Sequence, residues 1–202
     1  MDNTIMLNKE KLNNIKEPND VLSDVLKEYP RLQAIHGQGR TTAIFASPER
    51  AAIASKINPG GLEYWPKDEE GWSELPHPTN NKGNVLEVYD KSLRTDRKAL
   101  NAALFGDLLH GMVNDKGWKA LRDEFKQNYS PNAKNLINER QGQDDFGTPD
   151  TTVDAFIRGG LVPYKGGNWL TQNHTLYSPK QLEIMDRMRA YLKSSSGATG
   201  KW

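Results

Sequence analysis

No cysteine occurs in the 202 residues, which excludes disulfide staples, thiolate zinc sites and thiol nucleophiles. Apolar side chains are scarce as well. Hydrophobic residues make up 36% of the chain and aromatic ones 8%, against about 45–50% apolar for an ordinary domain when glycine is counted in. No apolar run approaches the roughly 18 residues of a membrane span, and Met1–Lys11 is too polar for a signal peptide. Neither sign of charge is in excess: 27 basic residues face 26 acidic ones. No general attraction to nucleic acid or to an anionic membrane is therefore expected. These absences leave a soluble chain without thiol redox chemistry, for which no cofactor is expected.

What is present is a patterned middle between two polar ends. Residues 1–18 are rich in Asn and Lys and stop at Pro18, and residues 194–202 read SSSGATGKW. Such segments bury too little apolar area to offset the entropy of ordering them, and both are expected to be extended arms. Composition divides the rest into an α+β core domain (19–140), a polar linker (141–149) and a helical C-terminal subdomain (150–193).

Within the core, Asn19 or Asp20 is placed to cap a helix carrying Val21, Leu22, Val25, Leu26 and Tyr29, stopped by Pro30. Thr41–Ser47 is a short β-forming run, and Ser47-Pro48 opens a helix of about two turns. Leu62–Trp65 and Val85–Tyr89 are expected to pair across the polar segment from Pro66 to Gly83. After Thr95 the pattern turns helical. Ala99, Ala102, Ala103, Leu108, Leu109 and Met112 form one stripe, and Trp118, Leu121 and Phe125 another. Ser130-Pro131 starts a helix running to about Arg140, and Asp150 or Thr151 caps one that ends at Gly159-Gly160. Ser178-Pro179-Lys180-Gln181 reads as a capping box ahead of the stripe Leu182, Met185, Met188 or Arg189, and Leu192. The fold predicted is α+β, with a small antiparallel sheet in the first half and a predominantly helical second half. Residues 41–90 hold four basic and eight acidic groups, whereas residues 91–140 hold ten basic and six acidic. The favoured explanation is two solvated faces; a basic face on 91–140 would be the only foothold for nucleic acid.

The most chemical segment is Phe105-Gly106-Asp107-Leu108-Leu109-His110. A carboxylate and an imidazole at i and i+3 of a helix share one face, where they can hold a divalent metal or act as an oriented base. The favoured alternative is a structural pair in which Asp107 orients His110. A β run followed by this helix resembles the layout of the zincin metallopeptidases. Laid on their H-E-x-x-H motif, His110 falls on the second His and Asp107 on the Glu, and Gly106 stands at the first His. That resemblance implies a degenerate metal-dependent hydrolase with Asp107 and His110 as catalytic and metal-binding residues. Gly37-Gln38-Gly39-Arg40 lacks the rest of a phosphate loop and reads as a turn. Glu63, Glu69 and Glu70 near Trp65 and Trp72 suit a sugar site on paper, but acidic loops with tryptophan are ordinary surface features. Loop aromatics either plug a small core or anchor an interface. Trp202, Trp72 and Trp65 are the interface candidates, with tucking back the stronger expectation for Trp65.

Gly60-Gly61-Leu62-Glu63-Tyr64-Trp65-Pro66, Gly106-Asp107-Leu108-Leu109-His110, Asp154-Ala155-Phe156-Ile157-Arg158-Gly159-Gly160 and Tyr177-Ser178-Pro179-Lys180-Gln181-Leu182 are together similar to uncharacterised virion-associated proteins of tailed bacteriophages, over roughly residues 60–192. The resemblance implies a protein made in the host bacterial cytoplasm and carried in the virion. The function expected is that of a non-enzymatic structural component. Through its arms and loop aromatics it would dock onto portal, tail or capsid proteins in a symmetric assembly, in several copies.

Overall fold

The computed structural model describes residues 15–57, 61–68, 70–72, 74–79, 83–133, 149–162 and 177–195. These fall into two compact units. One takes the described residues of 15–28 and 36–108, and the other those of 29–35 and 109–195. The division falls after Leu108, ahead of the 141–149 linker expected from composition.

In the first unit the stripe Val21, Leu22, Val25 and Leu26 is buried along helix α1 (Pro18–Glu28). Pro18 opens the helix, where a missing N–H costs nothing. Asn19 is used differently from the expected cap: its Oδ1 accepts from the backbone N–H of Ala43 at 2.7 Å. Helix α2 (Pro30–His36) follows, with its last residue in this unit and the rest in the other.

Strands β1 (Thr41–Phe45), β2 (Leu62–Trp65) and β5 (Asn84–Val88) form a sheet in the order β1-β5-β2. Two-residue strands β3 (Gly71–Trp72) and β4 (Leu75–Pro76) make a separate antiparallel pair. β2 and β5 pair antiparallel as expected, with Glu63 opposite Glu87 and Trp65 opposite Val85. β1 runs parallel to β5, so the sheet is mixed and not the antiparallel one predicted. The stretch between β1 and β5 carries helix α3 (Pro48–Ile57) and β2, which is length enough for the crossover a parallel pair needs. β5 is the central strand, and Val85, Leu86, Glu87 and Val88 are all buried. β1 is an edge, and Asn19 occupies the outward N–H that an edge strand leaves open.

One sheet face, with Trp65 and Val85, joins Ala46, Tyr89, Ala54 of α3 and Leu75 of β4 in a buried cluster. On the other side α1 packs on β1, and helix α4 (Arg97–Leu108) packs on α1 and β2. Gly61, at φ +83°, turns the chain into β2, and its carbonyl accepts from the N–H groups of Tyr89 (3.1 Å) and Asp90 (3.0 Å). Asp96 starts α4 by accepting from the N–H groups of Lys98 and Ala99, each at 3.0 Å.

The single helix expected through Met112 ends at Leu108. A 3-10 turn over Leu109–Asn114 opens the second unit, and it buries Leu109 and Met112, the i and i+3 residues that eclipse in this tighter helix. Asp115 then caps α5 (Lys116–Lys126), accepting from Trp118 N–H at 2.9 Å. Helix α6 (Pro149–Leu161) runs through Gly159-Gly160, where a stop was expected. A Cβ on Gly160 would collide with Met185 and touch Tyr177, so that glycine permits close packing and does not end the helix. Helix α7 (Pro179–Lys193) begins with the predicted capping box of Ser178 and Gln181. Leu182, expected in its buried stripe, is exposed; Gln181, Ile184, Met185, Met188, Tyr191 and Leu192 face inward. Of the helix predicted to run to Arg140, only residues 131–133 are described, and they are helical.

Gly117 is a second tight joint in this unit. The Tyr191 hydroxyl sits against it and donates to Asp115 Oδ1 at 2.5 Å, and the Arg31 guanidinium lies 4.0 Å from the Tyr191 ring centroid. Burial, followed by the hydrogen bond to Asp115, pushes the Tyr191 phenol up to about 12. Gly117→Ala should therefore destabilise the protein by about 1–3 kcal/mol through overpacking. Urea denaturation measures this, and unchanged stability would contradict the packing described.

Candidate functional site

Asp107 lies half-buried in the last turn of α4. His110 falls beyond that helix, exposed in the 3-10 turn, so the two do not share one α-helical face as the spacing predicted. His110 Nε2 accepts a hydrogen bond from Arg158 Nη1. That contact spends the lone pair a metal would need at Nε2 and brings a cation to it. Among the described residues no group of three or more His, Cys, Asp or Glu side chains is placed to hold a metal ion. The strand preceding α4 is also the centre of its sheet, whereas the zincin layout has an edge strand there.

Of the interface candidates, Trp65 is 0% exposed and cannot present its ring to a partner; it has tucked back. Trp72 stands in the two-residue strand β3, and Trp202 lies outside the described residues.

The polar centre of the first unit is one that no sequence motif marks. Glu87, in the middle of β5, is 0% exposed. Both of its carboxylate oxygens are bound by Arg50 of α3, with Nε donating to Oε1 at 2.6 Å and Nη2 to Oε2 at 2.8 Å. The Trp65 indole N–H donates to Oε2 at 3.1 Å. A forked guanidinium on a carboxylate is the strongest of the side-chain ion pairs, and here it is completed by a third donor. An acidic residue at the inward register of a β run was the signal available in the sequence.

Below the end of β5, Pro48, Ala51, Tyr89, Lys91 and Arg94 line a cavity of about 260 Å³. Burial, and then the negative field of Glu63, raises the Tyr89 phenol well above its ordinary range and keeps it neutral.

His36 is the second buried polar group, at 0% exposure. Its Nε2 is 2.9 Å from the Leu108 carbonyl, an acceptor only, so this nitrogen carries the proton; Nδ1 accepts from the Thr41 hydroxyl at 2.8 Å. The imidazole thus satisfies one of the open carbonyls at the end of α4. The Tyr64 ring meets it edge-on at 5.9 Å. Burial lowers the pKa of His36, with the Arg40 charge adding to the effect and the Leu108 bond opposing it.

A depressed folded-state value means that the unfolded chain takes up the proton first. Stability is complete above the ordinary histidine value of about 6.5 and falls as pH drops below it, by at most about 1.4 kcal/mol per unit. Urea midpoints at pH 7.5 and 5.5 should therefore differ more in the native chain than in His36→Gln. Equal pH dependence in the two would contradict the assignment.

No family model, no curated protein and no solved structure matches this chain.

Proposed function

We propose that the chain is a non-enzymatic structural component of a tailed-bacteriophage particle. It would be made in the host cytoplasm and built into the virion by docking on a portal, tail or capsid protein. The observation that carries this proposal is the use of the side chains with chemical potential as ties within each unit. His36 joins Thr41 to the end of α4, Glu87 joins α3 to the sheet, and His110 holds Arg158. A polar group committed in this way holds a fold in register. The likeness of the four quoted segments to phage virion-associated proteins supports the same view. The contact elements proposed are the polar arms at residues 1–18 and 194–202, the latter with Trp202, and the strand pair that carries Trp72, since tryptophan is favoured at the centre of interfaces.

Gradient-purified particles of the phage encoding the chain should contain it in a fixed copy number, measured by quantitative mass spectrometry. Removal of 1–14 and 196–202 together should leave cooperative unfolding intact and abolish incorporation. Absence of the full chain from particles, or unchanged incorporation of the shortened one, would overturn the proposal.

A further inference from the structure

We infer that the cavity beneath the end of β5 binds a small oxyanion, the phosphate or carboxylate group of a ligand. The cavity, about 260 Å³ and lined by Pro48, Ala51, Tyr89, Lys91 and Arg94, belongs wholly to the first unit. It has room for such a group together with a few waters.

Two cations border it from one short element. Lys91 and Arg94 are the first and last residues of a 3-10 helix. In that geometry residues i and i+3 eclipse, so both side chains leave the helix on the same side. Arg94 is held in place before any ligand arrives. Its Nη2 donates to the Ala46 carbonyl at 2.7 Å, and its guanidinium carbon stands 4.6 Å from the centroid of the Phe45 ring. Its Nε is shielded from solvent and has no hydrogen-bond partner. A guanidinium positioned in advance loses little freedom on meeting an oxyanion, a group whose geometry suits it.

Charge pairing elsewhere sharpens the contrast. Arg50, Arg97, Arg122, Arg187 and Arg189 each meet a carboxylate; among the described residues Lys91 and Arg94 form no ion pair. The acids nearest in sequence are already engaged. Asp90 turns its Oδ1 to the N–H of Ser92 at 2.8 Å, and Glu87 is taken by Arg50. Tyr89, kept neutral, adds no charge of its own, and the two cations act against the negative field that Glu63, Asp107 and Glu87 set at its ring.

The test is a titration of the ¹⁵N-labelled full chain with inorganic phosphate and, separately, with acetate. Ionic strength is held constant with chloride, and amide shifts are followed by NMR. Saturable shifts confined to residues 49–51 and 89–94 are expected with at least one anion, and the anion that saturates at lower concentration identifies the source of the group. Arg94→Gln should weaken binding about tenfold or more. Lys91→Gln, an exposed change that leaves the fold alone, should weaken it several-fold and carries the test if Arg94→Gln does not fold. Shifts that never saturate, that spread over the whole surface, or that are unaltered in Lys91→Gln would overturn the inference.

Discussion

A carboxylate stays charged inside a protein only where its neighbours replace the water it has lost, and Glu87 makes that demand at the centre of the first unit. Leaving such a charge without its partner costs several kcal/mol. The two partners that answer it come from different elements, Arg50 from α3 and Trp65 from β2. One side chain on the central strand therefore fixes where the crossover helix lies and which way the facing indole turns. The rest of that sheet face follows: Ala54 and Leu75 close over Trp65, and Pro48 and Ala51 come to wall the cavity that Lys91 and Arg94 border. The anion site inferred there is a by-product of where Glu87 holds α3.

The same device recurs at smaller scale. His36 ties the end of α4 to β1, Asn19 seals the outward edge of β1, and Tyr191 bridges to Asp115 against Gly117. A chain with 36% hydrophobic residues has limited apolar area to bury. It fixes its elements with buried hydrogen bonds that contribute modest net stability when made but are costly to leave half-made. Specific geometry, more than apolar mass, holds each unit in register.

Much of the fold was legible in the sequence because it rests on local signals. The stripe of α1 and the Ser178–Gln181 capping box depend on residues close together in the chain, and Leu62–Trp65 and Val85–Val88 each show themselves as strands by their own β-forming residues. The errors came where distant residues decide. Asn19 satisfies a general rule for caps, yet its oxygen serves Ala43, 24 residues on. Gly159-Gly160 looks like a stop until Met185 is seen to occupy the space a side chain would need. The parallel arrangement of β1 follows from a crossover that no turn motif announces.

The polar centres were hidden for the same reason. Asp107 and His110 drew notice because they stand three apart, but the helix changes pitch between them. Glu87, Arg50 and Trp65, spread over 38 residues of chain, share no spacing that a motif records. Whether that triad organises the first unit is tested most directly by a double-mutant cycle with Arg50→Met, Glu87→Met and both together, measured by urea denaturation. A coupling energy of about 2–3 kcal/mol, with the double variant more stable than the Arg50→Met single, is predicted; additive effects of the two substitutions would contradict it.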